Sequence, residues 1–171
     1  MPVHSGDDMT PAMLIHHFAS LNVWTQGDIR VPHKPLLLLF ALANAQQSKP
    51  RLMPFHEIES KLEEIITAFG PNRSPQPEYP FWHLKSEEIW DIPLNYTVPT
   101  KSGSAGRKYL RDNQIQGGFT DEVYALLKLN PGLIEQAAIH LLEDNFPSTL
   151  HQDILDMIGL GIDVSSYQLT E

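Results

Sequence analysis

The chain has 171 residues, no cysteine and a formal net charge of −9 with its histidines neutral; 42% of it is apolar and 19% is charged. Those proportions describe one soluble globular domain with a sizeable core, and they exclude a disulfide framework and thiolate zinc sites. No apolar run approaches the roughly 18 residues of a membrane span, and the N-terminal MPVHSGDDMTP lacks the basic start and apolar stretch of a secretion signal; the absence of cysteine fits a cytoplasmic location.

In chain order, Thr10-Pro11 reads as an N-cap with proline at the first helical position, opening a helix to about Leu21 with Met13, Leu14, Phe18 and Leu21 on its apolar stripe. Residues 22–31 read as a loop. His33-Lys34-Pro35 starts a second helix to about Gln47 whose leucine run, Leu36 to Leu39, leaves almost no polar face, as expected of a central core helix. Leu52 to Phe55 suggests a short strand, and a helix follows from about His56 to Phe69. Residues 70–78, with three prolines and a glycine, read as a loop.

The aromatic run Tyr79 to Leu84 and the run Ile89 to Ile92 flank Lys85-Ser86-Glu87-Glu88, and the pattern predicts a β-hairpin of two strands. On alternating faces, Tyr79, Phe81 and His83 would point one way and Pro80, Trp82 and Leu84 the other. Tyr79 and Pro80 would then lie exposed at the strand entrance, while Phe81 and Trp82 would be core. Pro99 to Gly106 reads as a flexible connection. A capping Thr120 predicts a helix over 120–129, Asn130-Pro131 opens another to about Leu142, and Pro147-Ser148 a last one through Ile158. The fold class expected is mainly α with a small β-hairpin, a compact helical domain with winged-helix-like elements.

Charge along the chain is polarised. Arg30 and Lys34 form one basic group, and Lys101, Arg107, Lys108 and Arg111 another, in a stretch, 99–111, with no acidic residue. Residues 57–64 and 143–171 are acidic. A basic face on an acidic body is one reading, and a solvated loop carrying lysines is the other. The eight histidines form no metal motif: His16 and His17 point about 100° apart on a helix, and His140 and His151 fall on different helices. No HExxH, CxxC, GxSxG, phosphate-loop or dinucleotide-binding pattern occurs, so neither catalysis by this chain nor a cofactor or metal is expected.

Three segments, taken together and in order, carry a resemblance. VPHKPLLLLFALA, then FGPNRSPQPEYPFWHL, then Gly117-Gly118-Phe119 resemble the sulfur-binding domain family, the recognition part of restriction enzymes that act on phosphorothioated DNA. The resemblance spans most of residues 30–119. It implies a partner, phosphorothioated double-stranded DNA, and a cup for the sulfur walled by Tyr79 and Pro80. His83 stands where several relatives have a small apolar residue, so the far wall of the cup differs or makes a base contact. His33 and Lys34 match the family's basic pair before the leucine helix and would contact the phosphate, or for His33 a base edge. Many relatives have arginine where this chain has Lys34, which exchanges a two-pronged fork for a point charge. Arg73, with Arg30, Lys101, Arg107, Lys108 and Arg111, would add phosphate or guanine contacts.

The resulting expectation is a DNA-recognition domain over residues 1–165, with 166–171 a tail or the start of a linker toward a nuclease domain of the His-Asn-His type, as relatives have. The domain would target a modification-dependent restriction system without cutting DNA itself, and a homodimer is compatible with that role. Two other readings remain open on the residues alone: a winged-helix regulator indifferent to sulfur, and a protein-interaction module suited to the −9 charge.

Overall fold

The computed structural model describes residues 9–21, 25–26, 29–30, 32–70, 75–94, 97–101 and 104–162. Helix α1 (Pro11–Ala19) starts as its sequence dictates: the Thr10 hydroxyl accepts the Met13 N–H, and Pro11 takes the first position, where a missing N–H is harmless. A minimal hairpin, β1 (Thr25–Gln26) with β2 (Ile29–Arg30), leads into α2 (His33–Gln46). Every residue of α2 from His33 to Ala45 is buried. Its C-terminus is tied down as firmly as its middle: Lys128 donates to the Ala45 carbonyl and to Ser48, and Gln46 and Gln47 donate to the carbonyls of Gly161 and Gly159. A cation at the carbonyl end of a helix is favourably placed in the helix field.

Strand β3 (Leu52–Pro54) passes directly into α3 (Phe55–Phe69), which buries Phe55, Ile58, Leu62, Ile65 and Ile66 on one stripe. The expected aromatic strand is instead a helix, α4 (Glu78–His83), continued by one 3-10 turn over Leu84–Glu87. Only Trp90–Asp91 (β4) is extended, and it pairs with a later strand rather than with 79–84. Pro80 fits because it is the third helical residue, where no intrahelical N–H bond is required. The helix wins because it lets Pro80, Phe81, Trp82 and Leu84 all reach the core, which a two-sided strand could not do. Trp90 Nε1 donates to the Phe81 carbonyl at 3.0 Å, and the Phe81 ring meets Phe55 and Trp90 edge-on at centroid distances of 5.1 and 6.2 Å.

The segment read as a flexible connection contains a second small hairpin, β5 (Thr100–Lys101) with β6 (Ser104–Ala105), and β6 packs on α4. A short helix α5 (Arg107–Asp112) and strand β7 (Gln116–Phe119) follow, neither of them expected. Strand β7 is the centre of a three-stranded antiparallel sheet in the order β3-β7-β4, with Leu52 opposite Gly118 and Trp90 opposite Phe119. Arg51 fastens this sheet to the next helix: it donates to the Phe119 carbonyl and pairs with Asp91 and Asp121.

Helices α6 (Asp121–Leu129) and α7 (Pro131–Asn145) lie where the capping residues placed them, and Thr120 accepts the Val123 N–H. The last helix enters through a 3-10 turn, Ser148–Leu150, into α8 (His151–Ile158), and Gly159 closes it at φ 76°, a left-handed conformation that suits glycine. Helix α2 is surrounded by α3, α4, α6, α7 and α8, and α1 packs on α7 and, through Phe18, on Phe119 of β7. The expected class, mainly α with small antiparallel β elements, is what forms. The expected boundary near residue 165 lies outside the described residues. No helix among those described is long and apolar enough to cross a membrane.

Candidate nucleic-acid interface

Two elements meet at the mouth of α2. Helix α4 packs against α2, and the turn that follows α4 reaches back to the first residues of α2. Tyr79 and His83, four residues apart on α4, share a face, and their rings lie 4.3 Å apart at 38°. Tyr79 is 40% exposed, unusual for so large a side chain, whereas Pro80 is buried. The expected pair of exposed residues at a strand entrance is thereby corrected: the helix turns Tyr79 outward and Pro80 inward, and it brings His83 beside Tyr79.

The basic pair is less open than its sequence suggests. His33 is 4% exposed and Lys34 7%. The His33 ring lies at the C-terminus of α3, where a side chain added at Gly70 would come within 3.5 Å of His33 Nε2. Lys34 Nζ donates to Glu87 Oε2 at 2.5 Å, so the ammonium is held by the turn that follows α4. Burial pushes the His83 imidazole below its ordinary pKa of 6.5, and the positive charges of Lys34 and Lys85 push it further the same way. Both causes favour the uncharged imidazole, and Lys34 and Lys85 both lie within electrostatic reach of it.

Lys85 was not singled out by sequence reasoning. Its ammonium sits 3.4 Å from the centroid of the Trp82 ring, and burial lowers its pKa. The available signal was its place two residues beyond His83, read as the tip of a hairpin. Glu87, in the same expected tip, reads in the sequence only as an imaginable nuclease carboxylate without a lysine to complete it, not as a partner for Lys34. Tyr79, Pro80, His83 and Lys34 thus converge, with Lys85 and Glu87 at the edge.

The second basic group stands elsewhere. Arg107 pairs with Glu59 and Glu63, and Arg111 places two nitrogens on Glu59 at 2.9 and 2.8 Å. Lys108 pairs with Asp112 one turn on. These contacts fasten α5 to α3, so in the free protein the arginines are matched by carboxylates rather than presented as surplus charge. The Arg111 hydrogen bond, with help from Arg107 and against the opposing effect of burial, holds Glu59 down at about 2. A carboxyl depressed on folding stabilises the fold above its ordinary pKa of 4.5, and that stabilisation is lost as pH falls toward 2. Glu59→Gln should therefore lower stability near neutral pH by about 1–2 kcal/mol, the scale of a partly buried ion-pair network. The gap between variant and wild type should close as pH falls to about 2, and urea unfolding across pH checks it. A pH-independent gap would contradict it. The side chains of Arg30, Arg73 and Lys101 lie outside the described residues; the backbone of Arg30 is in β2, directly ahead of α2, and that of Lys101 is in the hairpin whose β6 packs on α4.

Comparison with known proteins bears on this geometry. The family model described as the ScoMcrA-like DNA sulfur-binding domain matches residues 11–163. The structure "Sulfur binding domain of ScoMcrA complexed with phosphorothioated DNA" is similar with a TM-score of 0.74 at 22% identity, over 85% of this chain and 94% of that one. The corresponding SprMcrA complex is similar at TM-score 0.74 and 19% identity, over 89% of this chain and 95% of that one. A third, the type IV phosphorothioation-dependent restriction endonuclease ScoMcrA, matches at TM-score 0.71 and 22% identity over 85% of this chain but only 29% of its own. At such identities the structures establish a common fold. Curated proteins gave no match. With the family model covering nearly all of the described residues, the chain belongs to the ScoMcrA-like DNA sulfur-binding domain family.

Proposed function

We propose that this domain binds double-stranded DNA carrying a phosphorothioate, in a short sequence context, as the recognition module of a modification-dependent restriction system. Cleavage then falls to another domain of that system, of the His-Asn-His type that the sequence resemblance implies, and the module works in the cytoplasm where DNA is surveyed. The observation that carries the reading is the Tyr79–His83 ring pair, with Tyr79 exposed and Pro80 buried beside it in the chain, on the helix that packs against α2, in a chain of this family.

The chemistry follows from what sulfur changes. A non-bridging sulfur is larger and more polarisable than oxygen and accepts hydrogen bonds poorly. Against the Tyr79 and His83 rings, with Pro80 as the further wall that the family resemblance implies, sulfur loses little hydration and gains dispersion contacts. An oxygen in the same seat gives up water without replacement hydrogen bonds, a loss of about 1–3 kcal/mol. Lys34 supplies charge for the phosphate whichever atom it carries, and the α2 N-terminus adds a favourable field. Lys85, Arg30, Arg73 and Lys101 are candidates for neighbouring phosphates. Arg107, Lys108 and Arg111 would first have to leave their carboxylate partners, so they rank below the α4 and α2 residues as contacts.

Matched duplexes, identical except for one sulfur of defined stereochemistry, test the reading by fluorescence anisotropy near neutral pH. The modified duplex should bind at least about tenfold more tightly. Equal binding would leave a DNA reader without sulfur preference, and no binding of either duplex at any salt would favour a protein-interaction module.

A further inference from the structure

Glu87 ends the 3-10 turn that follows α4, and its side chain is only 11% exposed. Its carboxylate lies 2.5 Å from the ammonium of Lys34, which is 53 residues away in sequence and equally buried. Lys85, two residues earlier on the same turn, faces the Trp82 ring. The one described lysine at the mouth of α2 is thus covered, in the DNA-free protein, by an anionic oxygen. A phosphate oxygen arriving at the same ammonium would offer the same kind of contact: one negative oxygen on one cationic N–H.

From this geometry we infer that Glu87 is an internal competitor for the DNA phosphate, occupying the Lys34 ammonium until the backbone displaces or shares it, and so sets the absolute affinity of the domain for DNA of any kind. The inference rests on the reading of Lys34 as a phosphate contact. A buried carboxylate beside the binding seat opposes an incoming phosphate twice, by engaging the ammonium and by like-charge repulsion. Both effects act on phosphate and phosphorothioate alike, since the charge is the same. The ratio between the two duplexes is left to the rings of α4, while Glu87 keeps binding to unmodified DNA low. Unmodified sites vastly outnumber modified ones, so weak non-specific affinity keeps the module free to find its target.

The test measures affinities of wild type and Glu87→Gln for plain and phosphorothioated duplexes over a salt series. Glu87→Gln should bind both at least about threefold more tightly, keep their ratio within about twofold, and show a salt dependence steeper by up to about one ion. Weaker binding of both duplexes by a folded Glu87→Gln would show that Glu87 only positions Lys34, and that result overturns the inference, as does unchanged binding. A second comparison does not depend on Lys34 keeping its charge. Lys34→Gln removes the ammonium and keeps the carboxylate; adding Glu87→Gln should recover at least about threefold in plain-duplex affinity. No recovery also overturns it. If wild type fails to distinguish the two duplexes, the sulfur reading fails by itself, and the response of plain-duplex affinity to Glu87→Gln still decides this one.

Discussion

Gly118→Ala should cost the protein about 3 kcal/mol or more, enough to abolish cooperative unfolding or to shift its midpoint far down. Gly118 lies in the central strand β7, opposite Leu52. A Cβ there would stand 2.0 Å from the Arg51 carbonyl oxygen, 3.0 Å from its carbon and 3.3 Å from the Leu52 Cα. All three are backbone atoms of the neighbouring strand, so no side chain can rotate away; strand β3 must move, and with it the Arg51 contacts to Phe119, Asp91 and Asp121. Gly132→Ala is the control. Gly132 lies in helix α7 with open space around its missing Cβ, so alanine should be neutral or stabilising by up to about 1 kcal/mol. Urea unfolding of the two variants checks the contrast, and a Gly118→Ala protein within about 1 kcal/mol of wild type would refute it. Gly117 joins the sheet to the site: a Cβ there would meet the Phe81 ring at 2.9 Å, and Phe81 is part of α4.

The next largest effects fall on DNA binding, and they divide between charge and shape. Tyr79→Ala should reduce affinity for the phosphorothioated duplex about tenfold while changing plain-duplex affinity by less than about twofold. The exposed ring packs on the His83 ring at the surface, so stability should hardly change. Lys34→Ala should weaken both duplexes by about tenfold or more and flatten the salt dependence by about one ion. Its effect should exceed that of a single lost phosphate contact, because the negative charge of Glu87 stays while the ammonium beside it is gone. Anisotropy titrations at several salt concentrations separate the two patterns. A Tyr79→Ala protein that lost both duplexes equally would show that the ring serves DNA binding generally rather than sulfur selection.

The long helices were legible because several periods of pattern and a stop signal agree. Thr10-Pro11, Thr120 and the leucine run each state a helix by two independent features, and the structure places α1, α6 and α2 within a few residues of expectation. Helix α4 was not legible. In six residues a period of two and a period of 3.6 cannot be told apart, and a proline among aromatics resembles a strand entrance as much as a first helical turn. Only tertiary packing chooses, since the helix seats Phe81 over Gly117. Helix α5 carries a single buried residue, Leu110, which leaves no period to read. Strand β7 is Gln-Gly-Gly-Phe, and glycine argues against a strand until the backbone of β3 is seen pressed against it.

At the candidate site the sequence misjudged exposure. Tyr79, Pro80, His83 and Lys34 do converge, but Lys34 is covered by Glu87, and two residues at the edge of the cluster, Lys85 and Glu87, lay in what read as a hairpin tip. The arginines of 107–111 looked free because their carboxylate partners, Glu59 and Glu63, are more than 40 residues earlier.

Helix α2 turns no face to water anywhere from His33 to Ala45. Local opening of this helix would expose apolar core on every side, so its interior should be among the last parts of the domain to exchange its amides. A phosphate held at the first turn of this helix, as proposed, would cost little conformational entropy in the helix itself. The speed of capture is then left to diffusion, orientation and long-range charge, and discrimination to how long each duplex stays.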